Sequence, residues 1–113
     1  MTIDLPRSQT PRVSVIIVAT SNFDLPCACL QSVARFGSSA IPFETIVVLN
    51  EPGLETEAKL HATVTGVKVV SSQVNLGIAG AGNRGRSLAR GEFLLLLHDD
   101  AEVGAGWMDS MLV

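Results

Sequence analysis

Tyrosine is absent from this 113-residue chain, aromatic residues supply only 4%, and cysteine occurs twice. No apolar run approaches the ~20 residues that cross a bilayer, and the first twelve residues hold no apolar stretch of signal-peptide length. Basic charge is also scarce: eight Lys and Arg stand against eleven Asp and Glu, for a net charge of −3. Without a basic face, nucleic acid is not expected as a partner. Cys27 and Cys29 lie two residues apart, on different faces of an expected helix, so neither a disulfide nor a chelate is favoured. They read as buried apolar filler. The expectation is a cytoplasmic protein with no membrane segment.

What the chain does have is apolar residues, 47% against 17% charged, enough for one domain with a real core. Residues 1–12, with Pro6 and Pro11, read as a flexible N-terminal lead, and residues 13–113 as the domain. Its organising stretch is Gly91 to Glu102, where Phe93-Leu94-Leu95-Leu96-Leu97 runs straight through His98 into Asp99 and Asp100. With no polar alternation, the run reads as a strand buried on both faces, as in the middle of a parallel sheet. In such sheets ligands bind just beyond the carboxyl ends of the strands. Two carboxylates at that place suit a divalent cation shared with substrate phosphates.

The rest of the chain alternates. Val13 to Ala19 is β-branched and reads as the first strand, ending in the small polar residues Thr20-Ser21-Asn22. A helix follows from Leu25 to Phe36, capped by Asp24 or Asn22 and stopped by Gly37. Glu44 to Leu49 is the second strand, closed by the turn Asn50-Glu51-Pro52-Gly53. Glu55 to Val64 reads as a helix carrying a solvated His61, and Val67 to Val70 as a short third strand. A glycine-rich segment, Asn75 to Gly85, then leads into a helix closed by Gly91. Strands alternating with helices imply an α/β fold, an open parallel sheet of Rossmann-like type with helices on both faces. Right-handed crossovers predict the strand order 3-2-1-4, with a switch point between the first and fourth strands. Thr20 to Asn22 and Asp99-Asp100 would then border one crevice.

The glycine-rich segment has two physical readings. Gly77, Gly80 and Gly82 would let an anionic ligand approach a helix N-terminus, with Arg84 and Arg86 adding charge. Alternatively, its small residues serve close helix–sheet packing. It is neither the dinucleotide fingerprint G-x-G-x-x-G after a first strand nor a P-loop. Thr20 and Asn22 gain a ligand-binding role only from their placement opposite Asp99. His98 is a ligand, a neighbour that tunes the carboxylates, or the last strand residue.

Together these residues resemble the nucleotide-binding half of family 2 glycosyltransferases, inverting enzymes of the GT-A fold. Val15 to Asn22 is similar to the family's first strand ending in Thr-Tyr-Asn, and Phe43 to Val48 to its second strand. Asn75-Leu76-Gly77-Ile78-Ala79-Gly80-Ala81-Gly82-Asn83-Arg84-Gly85 resembles its asparagine–glycine element, and His98-Asp99-Asp100 its DxD-type motif. Gly106-Trp107-Met108 is similar to the Gly-Trp-Leu that starts the following helix. The resemblance covers residues 13–107, nearly the whole chain.

It implies a metal-assisted transfer of a sugar from a nucleoside diphosphate sugar to a glycan or other hydroxyl acceptor, with inversion. Asp100 would bind Mn²⁺ or Mg²⁺, and Asp99 would share the metal or contact the ribose. Thr20, Ser21 and Asn22 would lie near the nucleoside, and Gly77, Gly80 and Asn83 would border the nucleotide sugar. Where the family usually has an aspartate that helps read the base, this chain has Leu49 and then Asn50, which would take over that role. Asp109 comes too early to match the family's general base, which is expected beyond Val113. The resemblance therefore implies a donor-binding part that does not turn over alone. Two rival readings are a nucleotidyltransferase, disfavoured because no basic glycine loop follows the first strand, and a non-catalytic nucleotide-binding or assembly module. Self-association through apolar surface is a further expectation.

Overall fold

The β-branched stretches become strands and the periodic ones helices in the computed structural model, which describes residues 2–19, 23–38, 40–51 and 54–111. The chain opens with β1 (Ile3–Asp4), β2 (Val13–Ala19), α1 (Asp24–Phe36) and β3 (Phe43–Asn50). It continues with α2 (Leu54–Thr63), β4 (Val64–Thr65) and β5 (Val67–Ser72). It closes with α3 (Gly77–Arg86), β6 (Phe93–His98) and α4 (Trp107–Met111).

Four strands form one parallel sheet in the order β5-β3-β2-β6. This is the predicted 3-2-1-4 arrangement. Its handedness dictates where the helices go. The crossovers through α1 and α2 step outward from β2, whereas α3 returns to the other side of β2, and a right-handed connection then puts α3 on the opposite face. The core divides accordingly. On one face Val13, Val15, Ile17, Val47 and Leu49 pack with Leu30 and Val33 of α1, Leu60 of α2 and Met108 of α4. On the other, Ile16, Val18, Ile46 and Val48 pack against Ala81 of α3.

Three expectations need correction. The lead at residues 1–12 is not loose: Ile3 and Leu5 are buried, β1 pairs parallel with β4, and the Leu5 N–H donates to the Thr65 carbonyl at 3.0 Å. Two isolated apolar residues among prolines carry no periodic signal, so the docking was invisible in the sequence. The leucine strand is not buried on both faces. β6 is a sheet edge, with Phe93, Leu94 and Leu96 exposed. An apolar run reports hydrophobicity, not the number of neighbours, and α3 lies over β2 and β3 rather than over β6. Finally, Phe23 occupies the N-cap position of α1 without a side-chain bond, so Asp24 does not cap it; Asn22 lies outside the described residues.

The helix of the glycine-rich segment also ends sooner than expected, at Arg86. Gly91 instead lies where β6 begins, its N–H donating to Ser14 Oγ at 2.8 Å. Beside it the Arg90 N–H donates to Glu44 Oε2 at 2.7 Å, and Ser14 Oγ donates to the same oxygen at 2.6 Å. Lys68 Nζ stands 2.7 Å from Glu44 Oε1. Buried Glu44 thus ties β2, β3, β5 and the entry to β6 together at the amino ends of the strands.

Candidate functional site

At the carboxyl end of the sheet, β2 and β6 are immediate parallel neighbours, with Val18 paired to His98. The chain therefore leaves β2 after Ala19 and leaves β6 into Asp99-Asp100 at the same edge of the molecule. Thr20, Ser21 and Asn22, the residues that follow Ala19, lie outside the described residues, as do Pro52 and Gly53 of the expected turn. Asp99 is half-buried and Asp100 exposed, in a turn closed by the Ala101 N–H donating to the His98 carbonyl at 3.1 Å. His98 is exposed.

The electrostatics of this turn register on a cysteine. Cys29 on α1 is fully buried, and its Sγ lies 3.8 Å from the His98 carbonyl oxygen. Burial, and then the negative charges of Asp99, Glu102 and Asp100, push its thiol up to about 12. The acidic groups after β6 therefore all lie within electrostatic reach of the buried thiol. Among the described residues, no group of three or more His, Cys, Asp or Glu side chains is arranged to hold a metal. Two adjacent carboxylates suit a cation that takes its remaining ligands from phosphate oxygens and water.

The entry to α3 also lies at the carboxyl end of the sheet, and Asn50 holds it there. Asn50 ends β3 and is 2% exposed. Its side-chain Oδ1 accepts the Leu76 N–H at 2.8 Å, and its Nδ2 donates to Asn75 Oδ1 at 3.0 Å. Asn75 Oδ1 also accepts the Gly77 N–H at 2.8 Å. Asn50 is thus a positioning residue: both its polar atoms hold the loop before α3. The sequence marked Asn50 only as a substitute for a base-reading aspartate. A side chain at a strand end paired with an Asx-type turn after the next strand was the cue for the tether.

The glycine segment separates into two uses. Gly77 has a φ of 71°, a left-handed conformation that L side chains resist, with open space where a Cβ would be. It turns the chain into α3 at the site. Gly85 serves packing: a Cβ there would lie 2.6 Å from Ile16 Cγ2 and 3.0 Å from Val48 Cγ2. Gly80 faces the Leu76 side chain, and Asn83 is exposed on the flank of α3 toward β6. The packing reading therefore holds at Gly85, and the positive φ of Gly77 serves the turn into α3.

Beyond the carboxylates the chain folds back. The Val103 N–H donates to Ser32 Oγ at 3.0 Å, and α4 begins at Trp107 as expected. Asp109 Oδ1 accepts from Ser38 Oγ at 2.6 Å. Ser38 follows α1 and precedes β3, which places Asp109 toward the amino ends of the strands.

A family model of glycosyl transferase family 2 matches residues 14–112. The chain belongs to glycosyl transferase family 2. No curated protein sequence matches it. Among solved structures it is similar to residues 1–349 of S. aureus TarS, with a TM-score of 0.68 at 22% identity over 89% of this chain and 31% of that one. A second S. aureus TarS structure gives a TM-score of 0.68 at 24% identity, covering 89% and 19% of the two chains. The 1–349 structure in complex with UDP gives 0.61 at 22% identity over 86% and 31%. These likenesses support the GT-A type of fold, and this family 2 chain spans less than a third of the TarS chains it matches. No described helix is long and apolar enough to cross a membrane.

Proposed function

We propose that the crevice between the carboxyl ends of β2 and β6 binds a nucleoside diphosphate sugar, whose sugar passes with inversion to a hydroxyl of a glycan or other acceptor. The observation that carries this reading is the parallel β2–β6 pairing, which brings the chain out of β6 into Asp99-Asp100 at the same end of the sheet as it leaves β2 after Ala19. Family membership, and a fold shared with a protein solved in complex with UDP, support a nucleotide-sugar donor and make UDP the first nucleotide to test. Thr20, Ser21 and Asn22 would border the nucleoside, and the α3 entry held by Asn50 would flank the diphosphate and sugar. Asp100, with Asp99 beside it, would hold Mn²⁺ or Mg²⁺, which neutralises charge on a departing diphosphate. A cytoplasmic location is part of the same proposal.

The 113 residues by themselves are proposed not to turn over. Asp109, the carboxylate of α4, is engaged by Ser38 toward the opposite end of the sheet and is in no position to deprotonate an acceptor at this crevice. General-base assistance is typically worth ~10²–10⁴-fold. Calorimetric titration with UDP and other nucleoside diphosphates, with and without Mn²⁺, tests the donor site. The expected result is metal-dependent binding that Asp100→Ala abolishes. Binding indifferent to both metal and substitution would refute it.

A further inference from the structure

The end of the sheet away from Asp99-Asp100 holds a cavity built from residues that the donor crevice does not use. It measures about 230 Å³ and lies where β3 and β5 begin, walled by Glu44, Thr45, Val67 and Lys68 and bordered by Arg7 and Ser8 of the lead. Successive side chains alternate across a strand, so Glu44 and Thr45 belong to opposite faces of the sheet. A cavity touching both sits at the strand ends rather than on either face. The lead is fixed close by: the Leu5 N–H donates to Thr65, and a Cβ on Gly66 would lie 1.9 Å from the Leu5 carbonyl oxygen.

The walls hold donors with nothing to serve. Thr45 is 1% exposed, and its hydroxyl oxygen has no hydrogen-bond partner. Buried hydroxyls are nearly always bonded, so an orphan on a cavity wall calls for an occupant. Ser8 Oγ accepts the Thr10 N–H at 3.2 Å, which leaves its own proton to donate. Arg7 is exposed and forms no ion pair among the described residues. Lys68 gives one N–H to Glu44 and one to the Leu88 carbonyl, and an ammonium has a third. Two cations face one carboxylate, so the walls are net positive. Arg7 and Ser8 also border a neighbouring cavity of about 390 Å³, to which Pro6, Ile41, Pro42 and Phe43 contribute apolar wall.

We propose that this end of the molecule binds a phosphate monoester with a small apolar body. The phosphate lies among Arg7, Ser8, Thr45 and Lys68, and the body rests against Ile41 and Phe43. Phosphate suits the donors better than a carboxylate does, because three terminal oxygens can take a guanidinium fork, an ammonium and two hydroxyls together. The site is independent of the donor-site reading: it needs no metal and shares no residue with the crevice. Since Arg7 and Ser8 belong to the lead and Thr45 and Lys68 to the sheet, the ligand also fastens one to the other.

Amide NMR titration of the chain, free of divalent metal and at constant ionic strength, tests this with phenyl phosphate and inorganic phosphate as probes. Saturable shifts are expected at Arg7, Ser8, Thr45 and Val67, with phenyl phosphate the tighter probe, and they should persist in Asp100→Ala. Arg7→Gln, at an exposed position, should weaken binding about tenfold. Thr45→Val should weaken it about fivefold while leaving the melting temperature unchanged or raised, since it removes a hydroxyl that the protein leaves unpaired. Exchange of the Leu5 amide should slow as the probe is added. Shifts that follow ionic strength instead of the probe would overturn the proposal. So would shifts centred on Leu76 and Ala101, or an affinity unchanged in both variants.

Discussion

Glu44 shows how much a single buried side chain can organise. Burial pushes its carboxyl up, but the hydrogen bonds from Lys68, Ser14 and the Arg90 N–H outweigh that and hold it below its ordinary value. A group whose folded value lies below its unfolded one contributes stability that is present at neutral pH and lost as pH falls through the folded value. Acid titration followed by circular dichroism should therefore show wild type losing stability at low pH, with Glu44→Gln less stable at pH 7 and less sensitive to acid. Glu44→Ala, which leaves buried donors unpaired, should cost about 2–4 kcal/mol in denaturant unfolding. Glu44 is one polar residue near the start of β3, and nothing in the sequence at that position marks what it holds. The cysteines were more legible. Read as filler from their spacing, Cys29 is fully buried with its thiol pushed up to about 12 by burial and by Asp99, Glu102 and Asp100. Thiol titration of the folded chain should find Cys29 unreactive until denaturant is added, with Cys27 the faster of the two.

Elements were legible where periodicity was strong. β2 and β3 announce themselves by β-branched runs, and α1 by apolar residues at helical spacing. The glycine segment was ambiguous because glycine carries no side chain to reveal its face, and only packing separates its roles. That separation makes a paired prediction within α3. Gly85→Ala should destabilise by about 1–2 kcal/mol, because its Cβ would lie 2.6 Å from Ile16 Cγ2. Gly82→Ala should stabilise by up to ~1 kcal/mol, since its nearest neighbour is at an ordinary 3.7 Å and helix propensity then governs. Chemical denaturation of both variants decides between these signs. Asn50→Ala, which removes the acceptor for the Leu76 N–H, should raise exchange at Leu76 and cost about 1–3 kcal/mol.

For the whole molecule, alternation of strand and helix together with the handedness of crossovers was enough to give the sheet order, and with it the meeting of the β2 and β6 ends. Whether β6 had a neighbour on its outer side was not readable: five apolar residues look alike in a central strand and on an uncovered edge. The docked N-terminus was equally silent, since Ile3 and Leu5 have no pattern around them. The central claim is a cation-held diphosphate at the β2–β6 switch point, and paramagnetic Mn²⁺ in the presence of UDP tests it most directly by NMR. Amide signals of Ala19, Asn50, Leu76, His98 and Ala101 should broaden, while those of Val13, Phe43 and Phe93 at the far end of the same strands stay sharp, and Asp100→Ala should remove the effect. Broadening centred on the amino ends of the strands, or unchanged in Asp100→Ala, would contradict the account.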